Sequence, residues 1–217
     1  MLIAEELLLL ALDPRTGRMR TDTQRGLPVA LAGALIGELR LEGALEVQGR
    51  RFIATGARPP HPLLAAAQQA LAEPQGQTFS DQLRRHDGRR GLWLLLVEGL
   101  IAQGVLGRRR ARLLLVTVTR HPVLRPTVRE EVLHRVQAAA ATDGVLEPRT
   151  AVLLALAGPA GLVKVVAPQR SDRDRARRRI GKAAEQVPAA AVVQQVLAEM
   201  QTAVALAAGA GGAAAGR

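Results

Sequence analysis

Cysteine is absent from this chain of 217 residues, so disulfides, thiol nucleophiles and cysteine-ligated zinc or iron–sulfur centres are excluded. Aromatic residues are nearly absent too: Phe52, Phe79 and Trp93 are the whole set. A core without rings must be aliphatic, and the abundance of Leu, Ala and Val favours helices. Base stacking, the usual grip on single-stranded nucleic acid, has almost nothing to work with. Only two serines occur, Ser80 and Ser171, both in charged contexts that suit helix capping. No apolar run is long enough to span a bilayer: residues 92–106 are interrupted by Glu98, and 189–208 by Gln194, Gln195, Glu199 and Gln201. The opening MLIAEELLLLALD carries Glu5 and Glu6 where a secretory signal needs cations. The expectation is a cytoplasmic protein that touches a membrane peripherally without crossing it.

Reactive constellations are missing as well. His61, His86, His121 and His134 show no metal-ligand spacing, and no phosphate-binding loop, dinucleotide fingerprint or serine elbow is present. His121, in a His-Pro turn, and His134, on a helix surface, are expected to be solvated or locally hydrogen-bonded. No catalytic residue, metal site or cofactor is expected, and the chain reads as non-enzymatic.

What is present is clustered positive charge. The first 75 residues balance eight Arg against eight carboxylates, so the whole net charge of +11 falls in the remainder. Arginine outnumbers lysine 28 to two, a bias that coding composition alone can produce. Clustering is the better signal. The bursts are Arg84, Arg85, Arg89 and Arg90; Arg108, Arg109, Arg110 and Arg112; and Arg170 to Lys182. Such clusters mark a protein that settles on an anionic surface.

The periodicities predict helices at 3–12, 27–42, 63–72, near 79–86, 89–106, 126–141, 148–157, 171–186 and 188–207. ALEVQGRRFIATG (44–56) reads as a hairpin turning at Gln48-Gly49. The class is mostly α: one compact helical domain over 1–208 with one or two small β-hairpins, then a low-complexity tail at 209–217 expected to be disordered. Arg108 to Arg112 reads as a basic turn, followed by an apolar strand through Leu113, Leu114, Leu115, Val116 and Val118. Cations beside a bare aliphatic segment resemble an interfacial element that inserts shallowly in a membrane. An ordinary subunit-interface strand fits the same residues equally well. Trp93, close to Arg89 and Arg90, is a candidate headgroup contact, although an isolated helical Trp is commonly a core residue. Arg173 to Arg179, interleaved with Asp172 and Asp174, reads as a solvated helix face.

Taken in order, AEELLLLALDPRTG, LAGALIGELRLEGAL, LVEGLIAQGVL, LLLVTVTRHPVL and LLALAGPAGLVKVVAP resemble the Golgi phosphoprotein 3 family over about residues 2–205. The likeness is to a compact, bacterial-type member. It implies a mostly helical single domain that binds phosphatidylinositol 4-phosphate at a membrane surface, with cytoplasmic tails of membrane proteins as partners of its eukaryotic members. It also implies an apolar β-hairpin for membrane insertion or self-association, which falls here at Arg112 to Leu124. The family's headgroup pocket uses a Trp, an Arg, and a pair of Arg three residues apart. Those positions fall on Thr23, Ala32, Arg90 and Trp93 here, so Arg90 alone matches, with Arg25, Arg89 or Arg85 as substitutes for lost contacts. The leading expectation is therefore an anionic phospholipid surface as partner. Nucleic-acid binding is a second reading, disfavoured because the 44–56 hairpin sits in the net-neutral part of the chain and aromatic residues for base stacking are nearly absent, and a scaffold that pairs through the hairpin and binds protein tails is a third.

Overall fold

The structure, a computed structural model, describes residues 1–23, 26–48, 51–72, 88–113 and 116–187, with the backbone alone at 47, 51, 88–90, 111–113 and 116–118. The expected helices near 79–86 and at 188–207, the 209–217 tail and Arg25 lie outside the described residues.

The fold is organised around one short helix. α1 (Ile3–Ala11) is an almost unbroken apolar run, and all nine of its residues are buried. Four helices surround it: α2 (Leu27–Leu41), α4 (Gly88–Ala102), α5 (Pro126–Ala141) and α6 (Pro148–Ala157). Proline in the first turn of α2, α5 and α6 fits where a backbone N–H would be unpaired in any case. β1 (Leu45–Gln48) pairs antiparallel with β2 (Arg51–Ala54), as the sequence pattern predicts, and β2 leans on α3 (Pro62–Ala72). A short α7 (Val163–Val166) leads into α8 (Arg173–Gln186), which packs on α5, α6 and α7 in an outer layer. Helices with two separate two-stranded sheets make the protein mostly α.

A helix buried on every side cannot use water at its ends, so its terminal backbone groups need protein partners. Glu5 accepts from the Leu2 N–H at 2.7 Å, and Glu38 of α2 accepts from the Ile3 N–H at 2.7 Å. At the other end, Arg129 of α5 donates to the Leu9 carbonyl at 3.2 Å, and the Arg20 N–H donates to the Ala11 carbonyl at 3.0 Å. These buried carboxylates need countercharges in turn. Arg149 of α6 reaches Glu38 at 2.5 Å, Glu6 at 3.3 Å and the Met1 carbonyl at 2.5 Å. Arg135 of α5 also pairs with Glu6, and the Gln103 amide donates to Glu5 at 2.8 Å. Gly99 leaves the space that Glu5 occupies, since a Cβ there would stand 2.7 Å from its Oε1.

Two elements differ from the sequence pattern. The helix expected to reach residue 106 stops at Ala102, because Gly104 takes φ +69 and the Val105 N–H turns back to the Leu100 carbonyl at 2.9 Å. Nor is the run 113–118 one apolar strand. β3 (Arg109–Leu113) and β4 (Val116–Arg120) pair antiparallel, so the turn falls between Leu113 and Val116 and the basic run forms most of the first arm. Two consecutive residues are enough to reverse a hairpin, which leaves the apolar run divided between both arms.

Arg149→Met would leave Glu6 and Glu38 buried without their shared cation. Removing one partner of a buried pair costs about 3–5 kcal/mol, so the urea midpoint should fall by that equivalent with the m-value unchanged. A shift under about 1 kcal/mol would show that Arg135 and backbone donors suffice for both carboxylates.

Candidate anion-binding site

The root of the β3–β4 hairpin is held from both sides. The Gly107 N–H donates to the Pro122 carbonyl at 2.8 Å, the Leu124 N–H donates to the Val105 carbonyl at 2.8 Å, and Leu106 bridges to Val123. The turn after α1 adds a third anchor. Asp13 organises it by accepting from the backbone of Arg15 at 3.0 Å and Thr16 at 2.9 Å. Gly17 then presents its carbonyl to the His121 N–H at 3.2 Å. Gly17 adopts φ +62, and a Cβ there would stand 2.5 Å from the His121 carbonyl carbon, so this approach requires glycine. Beyond the root, the main contacts of the two strands are with each other.

Charge at the root is uneven. Arg108 is neutralised by an ion pair with Glu98 of α4. Arg109 lies opposite Arg120 across the ladder, and Arg110 lies opposite Thr119. Arg109 and Arg110 are exposed, and neither has an ion-pair partner among the described residues. Like charges directly opposite each other destabilise a strand pair. An anion between them would remove that cost.

Beside these cations stand three buried polar atoms that have no hydrogen-bond partner among the described residues: Trp93 Nε1, Arg120 Nε and His121 Nδ1. Trp93 and His121 meet edge to face with ring centroids 5.4 Å apart. His121 is only 5 % exposed, which corrects the expectation of a solvated turn residue: the anchor at Gly17 draws it inward. Burial pushes the His121 imidazole below its usual range, and the nearby Arg108 charge acts in the same direction. A hydrogen bond to the Gly107 backbone opposes the shift without reversing it, so the imidazole is neutral at neutral pH. A buried polar atom left unpaired costs about 1–3 kcal/mol. Phosphate oxygens could partner the donors at this root.

Trp93 stands beside the hairpin root, half-buried and packed against the core, with its ring edge to face on His121. Arg89 and Arg90 open α4 just ahead of it, their side chains outside the described part. Leu113, Val116 and Val118 are placed in the strands by their backbone, while Leu114 and Leu115 lie outside the described residues. The hairpin expected at Arg112 to Leu124 instead spans Arg109–Arg120. Thr23 and Ala32, each 1 % exposed, are sealed in the interior, and the Thr23 hydroxyl is committed to the Arg20 carbonyl at 2.7 Å. Neither can meet a headgroup. Sequence reasoning missed Arg120 and His121, whose one signal was their place at the end of the second arm.

No helix among the described residues is long and apolar enough to cross a membrane. Among the same residues, no group of His, Asp or Glu stands where it could share a metal ion. A groove of about 320 Å³ opens elsewhere, among Leu41, Leu146, Val152 and Val187, with Arg40 at its edge. Its lining offers no set of convergent polar groups, unlike the hairpin root.

A family model described as Golgi phosphoprotein 3 (GPP34) matches residues 3–200. No curated protein matches the chain.

The His121 environment has a pH consequence. Unfolded, a histidine titrates near about 6.5; folded, His121 titrates lower, so in between the unfolded chain binds more protons. Its contribution to stability is present above that unfolded value and is lost as pH falls below it. The urea midpoint of wild type should drop further between pH 7.5 and 5.5 than that of His121→Gln. Equal drops would mean that the imidazole is not held neutral by the fold.

Proposed function

Because the chain belongs to the Golgi phosphoprotein 3 family, we propose that it is a non-enzymatic peripheral protein that docks the hairpin flank on anionic phospholipid headgroups. The observation that supports this most directly is the hairpin root, where Arg109, Arg110 and Arg120 have no carboxylate partner among the described residues and exposed aliphatics stand nearby. Leu94 and Leu95, next to Trp93 in α4, are 47 % and 57 % exposed, and Leu124, packed over Gly107, is 59 % exposed. Cations beside bare aliphatics suit a headgroup layer with hydrocarbon beneath it.

The mechanism divides into two stages. Attraction by the basic root brings the protein to an anionic leaflet, at about 1 kcal/mol per surface cation. Close contact then satisfies the unpartnered donors of Trp93 and Arg120 with phosphate oxygens, while the aliphatics enter shallowly. Phosphatidylinositol 4-phosphate is the headgroup that the family implies. Closure of Thr23 and Ala32 moves recognition away from half of the family's pocket and onto the α4 start and the hairpin root. Tails of membrane proteins are the protein partners implied by the family. Exposed Leu94 and Leu95 also favour a second reading, pairing of two copies through this flank, for which light scattering across a concentration series is the check.

Co-sedimentation with vesicles tests the proposal, using sets that contain phosphatidylinositol 4-phosphate, phosphatidylglycerol at matched charge, or neutral lipid only. Wild type should bind both anionic sets and not the neutral one. The double variant Arg109→Gln/Arg120→Gln should weaken that binding by about tenfold or more, as expected for two surface charges. Leu114→Asp should weaken it without unfolding the protein. Preference for the phosphoinositide set, lost in Arg90→Ala, identifies the family's lipid; equal binding to both sets identifies a reader of charge. Equal binding to neutral and anionic vesicles, or to none, overturns the proposal.

A further inference from the structure

His121 follows the second arm of the hairpin, and its imidazole forms the inner wall of the root. The Gly17 carbonyl accepts from its backbone N–H at 3.2 Å, and Trp93 meets its ring edge to face. The residue is buried, yet the Arg108–Glu98 pair beside it keeps side chains 44 % and 53 % exposed. The imidazole thus lies one side chain below the surface.

Its two nitrogens differ. Nδ1 has no hydrogen-bond partner among the described residues, so the bond to the Gly107 backbone is made by Nε2. That bond favours the charged ring, which identifies Nε2 as donor and the Gly107 carbonyl as acceptor. In the neutral ring the single proton is then on Nε2, and Nδ1 holds a lone pair. A lone pair repels a phosphate oxygen. Protonated, the same atom is a cationic donor with no acceptor among the described residues. Proton and anion each supply the partner that the other lacks.

We propose that docking of a phosphate-bearing surface at the hairpin root is coupled to uptake of one proton by His121 at Nδ1, so that mild acid tightens it. This rests on the reading of the root as the docking surface. Other charged groups surround the imidazole: Glu98 of α4, and Arg108, Arg109 and Arg120 at the foot of the two arms. The turn that holds its backbone adds Asp13, Arg15, Arg18 and Arg20. Of these, Arg108 and Glu98 act on the ring in opposite directions. Carboxylates and guanidinium groups as classes keep their charge between about pH 5.5 and 7.5, whereas an imidazole changes its charge there. The sign follows from reciprocity: an anion favours the imidazolium, so the imidazolium favours the anion by the same factor. Without the anion, burial holds the ring below its usual range. With it the ring titrates higher, and affinity rises as pH falls through that bound-state value.

Co-sedimentation of the full chain with phosphatidylglycerol vesicles at pH 7.5, 6.5 and 5.5, at constant ionic strength, reads the coupling. A phosphodiester keeps its charge over this range, whereas a phosphomonoester titrates near about 6 and would mask the protein's own proton. Wild-type affinity should rise about fivefold or more from pH 7.5 to 5.5, one fully coupled proton setting a ceiling of about tenfold per pH unit. In His121→Gln the affinities at the two ends should agree within about twofold. His134→Gln, on the exposed side of α5, should keep the full rise. The ring-proton NMR signals of His121 in wild type give a second reading that needs no variant. Their titration midpoint should move to higher pH when dihexanoylphosphatidylglycerol is added. A flat wild-type profile overturns the coupling and leaves the membrane reading standing. So does an undiminished rise in His121→Gln, or a midpoint unmoved at a lipid concentration that shifts the backbone signals of Gly107. Absence of vesicle binding at all three pH values overturns both.

Discussion

The complete burial of α1 is the constraint from which much of the rest follows. Nine residues wrapped by four helices gain a large apolar contact, but the helix ends lose the water that would ordinarily bond their backbone. Glu5, Glu38, Arg129 and the Arg20 amide take over that role. Glu6 and Glu38 take their countercharge from Arg135 and Arg149, which converge from two other helices, while Glu5 is met by the Gln103 amide. The polar network is therefore a consequence of a hydrophobic choice, and it ties the start of the chain to α2, α5 and α6.

The same accounting separates the arginines into two populations. Arg129 and Arg179, each 8 % exposed, bond carbonyls in the last turns of α1 and α5, where positive charge also suits the helix dipole. Arg149 and Arg135 neutralise buried carboxylates. Others have no side-chain partner among the described residues, Arg109 and Arg110 at the hairpin root and Arg175, Arg178 and Lys182 on α8 among them. A net charge of +11 describes neither population by itself. The cations without internal work are the ones available to an anion.

Much of the fold was legible because its signals are local. Pro148 and the run after it place α6 at 148–157, and Pro126 with its periodic valines places α5 at 126–141. Where the pattern failed, a single backbone feature decided. Gly104 ended α4 four residues early, and the reversal between Leu113 and Val116 divided an apolar run between two arms. Of the site, Trp93 was visible as the sole Trp beside a basic burst. His121 was misplaced because its burial is imposed by Gly17, more than 100 residues away in the chain.

The sequence by itself determined the class, the absence of thiol chemistry, and the division between a neutral first third and a basic remainder. It determined the family as well, since the order of apolar segments survives without any contact being known. Only the tertiary structure decided which charges are used up and which remain free. A carboxylate or guanidinium has the same sequence signature whether buried or solvated, and its role depends on what the packing leaves within about 3 Å of it. Glu5 and Glu6, which argue only against a signal peptide in the sequence, became the anchors of the central helix by that rule. Arg120, unremarked in the sequence, and His121, read there as a turn residue, became groups with a polar atom unpartnered among the described residues because three anchored segments meet at the hairpin root.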